Sequence, residues 1–300
     1  MVFDRTGEAA PGFYVVGVSE IPTYLLDGPV PVLFDSGISA YGPQYIRDIK
    51  KILGPRDPQI LFLTHVHFDH CGATAYLKKH CPRLTVAASA RAAEIVRRPG
   101  ALKRITELNA SAAAIVKPWH PELDLDEAFQ PFEVDRILNG GDRLELAPDL
   151  HVEVLATPGH TWDFLSYYIP ERKILIGSEA VGCADTTGFV VTEFLVDFEV
   201  YLKSLKRLAD LEVDVLCQGH RLVYTGPEVR DYFRRSIEAA DKFRRDVEKK
   251  LREQKGDIGR VIQRVKAEEY DSRPHPKQPE PAYLINLEAR IRHLAESMNK

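Results

Sequence analysis

The sequence predicts a mixed fold of the α/β (α+β) class, followed by a helical extension. Short apolar runs bounded by glycine and proline occur in both halves of the first 226 residues, and segments with helical spacing lie between them. From Pro227 onward, apolar residues recur at helical spacing without strand-like runs. With 300 residues, 44% of them hydrophobic, the chain can form one sizeable core and an appendage. We therefore expect a first part at residues 1–226 and a helical second part at 227–300.

The predicted elements of the first part alternate in type along the chain. Continuous apolar runs are typical of strands buried on both faces, and amphipathic segments are typical of helices packed outside a sheet. In the first half we expect strands at 13–19, 22–27, 31–35, 59–64 and 84–88, helices at 43–53, after Gly72 and over 89–117, and then a proline-rich acidic loop at 118–135. In the second half we expect strands at 143–147, 150–156, 164–169, 172–177 and 213–217, with a helix at 197–210.

The second part is predicted to consist of helices. Apolar residues form helical stripes at 229–251, 258–265 and 283–298, and four prolines separate the last helix from the others: Pro274, Pro276, Pro279 and Pro281. Such stripes bury against a neighbouring surface. That surface is the rest of the fold, the mouth of a substrate pocket that the helices would cover as a lid, or a second copy of the chain in a homodimer. The pattern leaves these possibilities open.

The most informative segment is residues 64–70, which read Thr-His-Val-His-Phe-Asp-His directly after an apolar strand. His65 and His67 are two apart on extended chain, so their rings project to the same side and can share one metal ion. Asp69 and His70 follow where the chain turns into a helix, so their side chains diverge toward a second position. The spacing predicts two metal sites a few ångströms apart.

Three further candidate ligands follow strand-like runs elsewhere in the chain. The turn Thr-Pro-Gly-His-Thr at 157–161 presents His160, which would complete the first site. The sequence Gly-Ser-Glu ends in Glu179, whose two oxygens could bridge both ions, and Gln-Gly-His ends in His220, which would close the second site. Asp185 is the competing candidate for the bridging position.

These motifs, in this order, resemble those of the metallo-β-lactamase superfamily over roughly the first 225 residues. The resemblance implies a four-layer αββα sandwich with a C-terminal helical extension, and it makes residues 1–226 the catalytic domain. It also implies a supporting role for Asp35, which ends a strand-like run similar to the family's buried Asp-x-Gly motif. One residue departs from the pattern, because the family usually has Asp in a Gly-Asp pair where this chain has Glu179.

The resemblance implies a metal-dependent hydrolase. Seven residues would hold two divalent ions: His65, His67, Asp69, His70, His160, Glu179 and His220. Their nitrogen and oxygen donors favour zinc, and iron and manganese also suit them. A metal-activated bridging hydroxide would attack an ester or thioester carbonyl, while Asp69 orients it and later passes a proton to the leaving group. The motif order is similar to that of glyoxalase II, and the helical tail resembles that of the aminobenzoylacetyl-coenzyme A thioesterase of quinolone signalling, so a small-molecule acyl thioester or ester is the expected substrate.

Two functions of other classes stay open. A mononuclear iron dioxygenase acting on persulfides resembles the same ligand frame with one ion, and the Glu179 departure favours it. A regulatory protein would keep the metal site and bind a partner through the C-terminal helices. The net formal charge of −4 gives no basic footprint for nucleic acid, and no apolar run approaches membrane-spanning length. Four cysteines without a C-x-x-C pair, and an N-terminus unlike a signal peptide, predict a cytoplasmic setting.

Overall fold

The computed structural model describes residues 1–274 and 278–298. In these ranges the strands are β1 Val2–Phe3, β2 Gly7–Ala10, β3 Phe13–Val18, β4 Ile21–Leu26, β5 Val32–Phe34, β6 Ile60–Phe62, β7 Thr85–Ser89, β8 Arg136–Leu138, β9 Arg143–Ala147, β10 Leu150–Ala156, β11 Leu165–Ile169, β12 Ile174–Ser178, β13 Cys183–Ala184, β14 Val190–Val191, β15 Val215–Gln218 and β16 Val223–Thr225. The α-helices are α1 Gly42–Leu53, α2 Phe68–Cys71, α3 Thr74–His80, α4 Ala90–Ile95, α5 Pro99–Val116, α6 Phe198–Ala209, α7 Pro227–Glu253, α8 Ile258–Lys266 and α9 Glu280–Met298. Short 3₁₀ turns lie at Ser39–Tyr41, Lys117–Trp119, Pro170–Arg172 and Glu179–Val181, and a π-helical turn lies at Ala267–Asp271.

Most strands belong to two seven-stranded sheets. The first sheet has the order β2-β3-β4-β5-β6-β7-β8, and the second has the order β1-β16-β15-β12-β11-β10-β9. Strands β5 to β8 are parallel, and so are β12 and β15. Neighbouring parallel strands end at the same edge of a sheet, so the loops that follow them lie side by side. This topology brings together the loops after β5 and β6, and those after β12 and β15.

The two sheets pack face to face, with helices on both outer faces. On β5, Leu33 points into the cluster formed with helices α1, α3, α4 and α5, whereas Val32 and Phe34 point toward the second sheet. Between the sheets, the ring of Phe62 lies 5.3 Å from that of Phe34 and 5.0 Å from that of Tyr167. The predicted α/β class and the four-layer αββα sandwich are confirmed.

Helices α6, α7, α8 and α9 form the outer layer on the second sheet. Tyr232 of α7 stacks on Tyr224 of β16 with ring centroids 4.2 Å apart, and Phe243 of α7 contacts Phe194 at 5.8 Å. The buried faces of α8 and α9 belong to the same apolar cluster. The apolar stripes of the helices after Pro227 are therefore buried against the sheet and against one another. Among the described residues, no helix combines the length and apolarity needed to cross a membrane.

The structure contains short elements that the sequence does not predict. Strands β1, β2, β8, β13, β14 and β16 have two to four residues each, which is too few for a period-two pattern to be visible. The helical stretches predicted over 89–117 are the two helices α4 and α5, which are separated because Arg98 is extended before Pro99, the first residue of α5. The predicted proline break falls partly on residues 275–277, which lie outside the described residues.

The hydroxyl of Tyr167 joins the two sheets by donating a 2.6 Å hydrogen bond to the carbonyl of Leu63, just after β6. Tyr167→Phe removes this donor from a buried carbonyl. We expect the free energy of unfolding, measured by urea denaturation, to fall by about 1–3 kcal/mol. The control Tyr76→Phe removes the same atom from a half-buried ring on α3, where we expect a change within about 0.5 kcal/mol. Unchanged stability of Tyr167→Phe would contradict the role of this bond.

Candidate metal centre

The candidate ligands come from both sheets and meet at one edge of the sandwich. The segment directly after β6, which includes α2, carries four of them, and one each follows β10, β12 and β15. The structure brings their ligand atoms into three overlapping groups, in each of which all the atoms lie within 4.8 Å of one another. The groups are His65, His67 and His160; His65, His70 and Glu179; and Asp69, His70 and His220. All seven predicted ligands are thus close together.

The first trio, His65, His67 and His160, has the spacing of a shared cation. Nδ1 of His67 lies 3.1 Å from Nε2 of His160. Two nitrogens bound to a tetrahedral zinc at about 2.0–2.1 Å are about 3.3 Å apart, so the observed separation fits one ion. Nδ1 of His160 donates to the backbone carbonyl of Glu193, which directs the lone pair of Nε2 toward His67.

His65 presents a buried lone pair to the same centre. The Thr64 hydroxyl donates to Asp35, so the hydrogen-bond network assigns the proton of His65 to Nδ1, which donates to Thr64 Oγ1 at 3.0 Å. Nε2 is buried and has no hydrogen-bond partner in the described part of the chain. Burial, followed by the charges of His70 and His67, lowers the pKa of His65 well below its usual value. Burial and His67 likewise lower the pKa of His160 to about 3. Neutral rings of this kind are the form that binds a metal.

His70 and Glu179 link the first trio to the second trio, Asp69, His70 and His220. Nδ1 of His70 contacts Asp35 Oδ2 at 2.8 Å, so its Nε2 faces Glu179. Oε1 of Glu179 lies 2.9 Å from His70 Nε2 and 3.2 Å from His220 Nε2, and it has no hydrogen bond of normal geometry among the described residues. Burial lowers the pKa of His70, but Glu179 and Asp35 outweigh it and raise that pKa well above its usual value. The Glu179 and Asp35 carboxylates therefore favour positive charge at His70.

The neighbours of Glu179 show how the chain accommodates a longer acid than Asp. Ser178 Oγ donates to Glu179 Oε2 at 2.7 Å and fixes one oxygen. A Cβ at Gly219 would lie 2.0 Å from Oε1, so the missing side chain at 219 provides the space for the carboxylate.

Asp185 belongs to none of the three ligand groups found among the described residues. Its carboxylate accepts from the backbone N–H groups of Thr187 and Phe189 and closes its own loop.

Strained backbone surrounds the centre. Five non-glycine residues in the described ranges have positive φ, and three of them are Asp35 at 56°, Ser178 at 49° and Arg221 at 62°. Asp35 supports two parts of the loop after β6, because its carboxylate accepts from the Thr64 N–H at 2.8 Å and contacts the His70 ring. Strain of this kind persists where the surroundings fix a geometry that function requires.

Two buried acids near the centre are not predicted from the sequence. Asp163 accepts from the Val66 N–H at 3.0 Å and so holds the chain between His65 and His67. Its signal in the sequence is an acid three residues after His160. Glu193 follows the two-residue strand β14 in an irregular stretch, and no motif marks it. Burial, opposed by Arg290 and aided by Glu179, raises the pKa of Glu193 to about 7.

A cleft of about 200 Å³ opens from the ligands toward the C-terminal helices. Apolar side chains such as Ile115, Trp119 and Phe189 line its walls. The segment after Pro227 contributes Tyr283 and Asn286, among others. An apolar cleft with a few polar groups at one end is typical of sites for small organic molecules.

The family model described as the metallo-beta-lactamase superfamily matches residues 18–220, which is more than half of the chain and includes every candidate ligand. The chain belongs to the metallo-β-lactamase superfamily. Members of this superfamily are mostly metal-dependent hydrolases, and their metals are divalent and often zinc. The resemblance stated from the motifs is confirmed.

Individual relatives are distant in sequence. The probable metallo-hydrolase YflN of Bacillus subtilis is 23% identical over 242 residues, which cover 74% of this chain and 89% of the relative. The acyl-coenzyme A thioesterase MBLAC2 of Gallus gallus is 26% identical over 197 residues, covering 63% and 68% respectively. A putative diflavin flavoprotein of Nostoc sp. is 22% identical over 216 residues, and the match spans only 32% of its length. The solved superfamily protein ST1585 from Sulfolobus tokodaii covers 99% of this chain and 98% of its own with a TM-score of 0.57 at 17% identity, which shows the fold.

Asp35→Asn is expected to lower the affinity of the centre for zinc by about 10–100-fold, because the amide holds His70 and Thr64 less firmly. Isothermal titration of the metal-free protein with zinc measures the change. Asp27→Asn is the matched control, since Asp27 pairs with Arg56 on the surface and supports no candidate ligand. Equal zinc affinity of the Asp35→Asn variant and the unmodified chain would contradict the supporting role.

Gly219→Ala is expected to displace the Glu179 carboxylate and to lower zinc affinity by at least about tenfold, since a Cβ at this position meets the carboxylate directly. Because the clash involves the end of a side chain, we expect the free energy of unfolding of the metal-free protein to change by less than about 1 kcal/mol. Gly100→Ala is the control, because its Cβ meets nothing within 4 Å. Unaltered zinc binding by Gly219→Ala would show that the position of Glu179 does not matter.

Proposed function

We propose that this protein is a dinuclear metal-dependent hydrolase of acyl thioesters or esters. The observation that carries the proposal is the pair of ligand trios, with Glu179 between them, at the end of an apolar cleft. The unpartnered Nε2 of His65 and the contacts of Glu179 Oε1 fit cations better than they fit hydrogen bonds within the protein. Zinc is favoured by the mixture of imidazole and carboxylate donors.

The residues of the centre divide the chemistry between them. Two divalent cations held there would lower the pKa of a shared water toward about 7 and polarise the substrate carbonyl. His65, His67 and His160 would hold one cation, His70, His220 and Asp69 would hold the other, and Glu179 would contact both. Asp69 lines the cleft with Oδ2 3.6 Å from His220 Nε2, so its carboxylate can accept a proton and return it to the leaving group.

The acid available to protonate the leaving group favours a thioester substrate. A thiol has a pKa of about 8.5, so it can leave as a thiolate without full protonation. A carboxylate such as Asp69 therefore suffices as the proton carrier. The apolar walls of the cleft suit the acyl part of the substrate. The thioesterase activity in the name of the chicken relative supports the same class.

The test is hydrolysis of S-butyryl-N-acetylcysteamine by the purified chain after metal removal and reloading with zinc. We expect two zinc ions per chain by elemental analysis and turnover that depends on zinc. In His67→Ala we expect kcat/KM to fall by at least about 10³-fold, because the first trio loses a ligand. His80→Ala is the control, since His80 is a half-buried residue of α3 outside the three ligand groups, and we expect its activity to stay within about twofold.

Two results would contradict the proposal. A single iron per chain, with oxygen consumed in the presence of a persulfide, would identify a mononuclear oxidoreductase. Zinc-loaded protein that hydrolyses no thioester or ester would indicate a binding function for the same centre.

A further inference from the structure

We infer that the cleft contains a polar subsite that selects acyl groups bearing a hydrogen-bond donor, a hydroxyl or an amine, close to the scissile carbonyl. This inference rests on the proposed function and names a substrate class within it. The polar subsite consists of Glu193, Glu269, Tyr283 and Asn286, which all line the cleft beyond the candidate ligands. Residues Glu269, Tyr283 and Asn286 come from the helical segment after Pro227.

Glu193 places the subsite next to the reacting end of the cleft. Its backbone carbonyl accepts from His160 Nδ1, and its side chain is 5% exposed and lines the same cleft as the ligands. The hydrogen bond that Asn286 Nδ2 donates to Glu193 Oε2 is 3.5 Å long, at the limit for such a contact. A carboxylate has about four acceptor positions, so Glu193 can accept further hydrogen bonds from a bound molecule.

Two other polar atoms of the subsite are buried and have no hydrogen bond of normal geometry within residues 1–274 and 278–298: the Tyr283 hydroxyl, on a residue that is 3% exposed, and Glu269 Oε2. Burial and the neighbouring Glu269 carboxylate raise the pKa of the Tyr283 hydroxyl, so the two side chains face the same part of the subsite. Buried polar atoms without a hydrogen bond destabilise a protein. A ligand that supplies the missing partner therefore gains binding free energy from that hydrogen bond. Glu193 and Glu269 offer carboxylate acceptors, and the Tyr283 hydroxyl can accept as well as donate, so a ligand group that donates a hydrogen bond matches this wall.

The charges of the protein around the subsite indicate that it selects a ligand group by hydrogen bonding and not by positive charge alone. Arg290 is 1% exposed, donates to the Thr192 carbonyl at 2.9 Å and lies over the Phe243 ring. Arg273 donates to the backbone carbonyl of Glu269 at 2.7 Å and lies over Phe189. These two guanidinium groups balance the two carboxylates, Glu193 and Glu269. Selection therefore depends on hydrogen bonds at the wall more than on net charge.

The experiment compares three thioesters of N-acetylcysteamine with the zinc-loaded protein: the butyryl, 3-hydroxybutyryl and 3-aminobutyryl compounds. We expect kcat/KM for the hydroxy or the amino compound to exceed that for the butyryl compound by at least about tenfold, because a site with buried polar groups discriminates against a ligand that leaves them unpaired. The two donor compounds distinguish a neutral from a cationic donor.

Three variants locate the selectivity. Glu193→Gln, Tyr283→Phe and Asn286→Ala should each lower the ratio of kcat/KM between the preferred donor compound and the butyryl compound, by about threefold or more. Zinc content is measured for each, because loss of the centre would lower activity on all three compounds together. Tyr283→Phe removes a single oxygen atom, so it tests the subsite even if Glu193→Gln or Asn286→Ala disturbs folding. Glu288→Gln is the control on the same helix, since Glu288 pairs with Arg292 at the surface, and its ratio should be unchanged.

The outcomes separate the subsite from the reaction. Equal kcat/KM on all three compounds, or an undiminished ratio in all three zinc-loaded variants, would overturn the subsite and leave the hydrolase standing. Failure of the zinc-loaded protein to hydrolyse any of the compounds would overturn both.

Discussion

The structure depends on a cluster of imidazole and carboxylate groups that the protein holds together with few hydrogen bonds between them. Atoms of the two trios and of Glu179 approach one another to about 3 Å, and His65 Nε2 and Glu179 Oε1 have no hydrogen-bond partner among the described residues. In a medium of low dielectric such an arrangement is costly unless positive charge enters it. The surrounding residues keep the groups in place: Asp35 holds His70, Thr64 holds His65, and the Glu193 carbonyl holds His160. In a cation site, each of these contacts would orient a ring so that its free nitrogen faces the cation.

The sandwich supplies the rigidity that this arrangement needs. Four ligands follow a strand of the first sheet and three follow strands of the second, so a bound cation would join the two sheets at one edge. Contacts between the sheets, such as the Leu165 N–H donating to the Thr64 carbonyl at 2.8 Å, already fix the loops relative to one another. The positive φ angles of Asp35 and Ser178 show that this precision is maintained against local strain.

The sequence predicts the parts of the molecule in which local pattern and spatial arrangement coincide. The long apolar runs and helices were visible because each repeats its period over several turns or pleats, and the ligands were visible because they stand in short motifs directly after strands. Glu193 and the strands β1, β2, β8, β13, β14 and β16 were not, since a buried acid in an irregular stretch carries no period and no motif. The choice between Glu179 and Asp185 likewise depends on the space beside Gly219, which only the assembled loops reveal.

The segment between β14 and α6 ties one ligand to a helix that is distant in sequence. It accepts from His160 through the Glu193 carbonyl, and α9 contacts it through Arg290 at the Thr192 carbonyl. Helix α9 also contacts the start of α6, where His293 Nε2 accepts from the Phe198 N–H. The position of the Glu193 carbonyl, and with it the orientation of the His160 ring, therefore depends on contacts made by α9. A substitution in α9 can alter the first trio although that helix supplies none of its ligands.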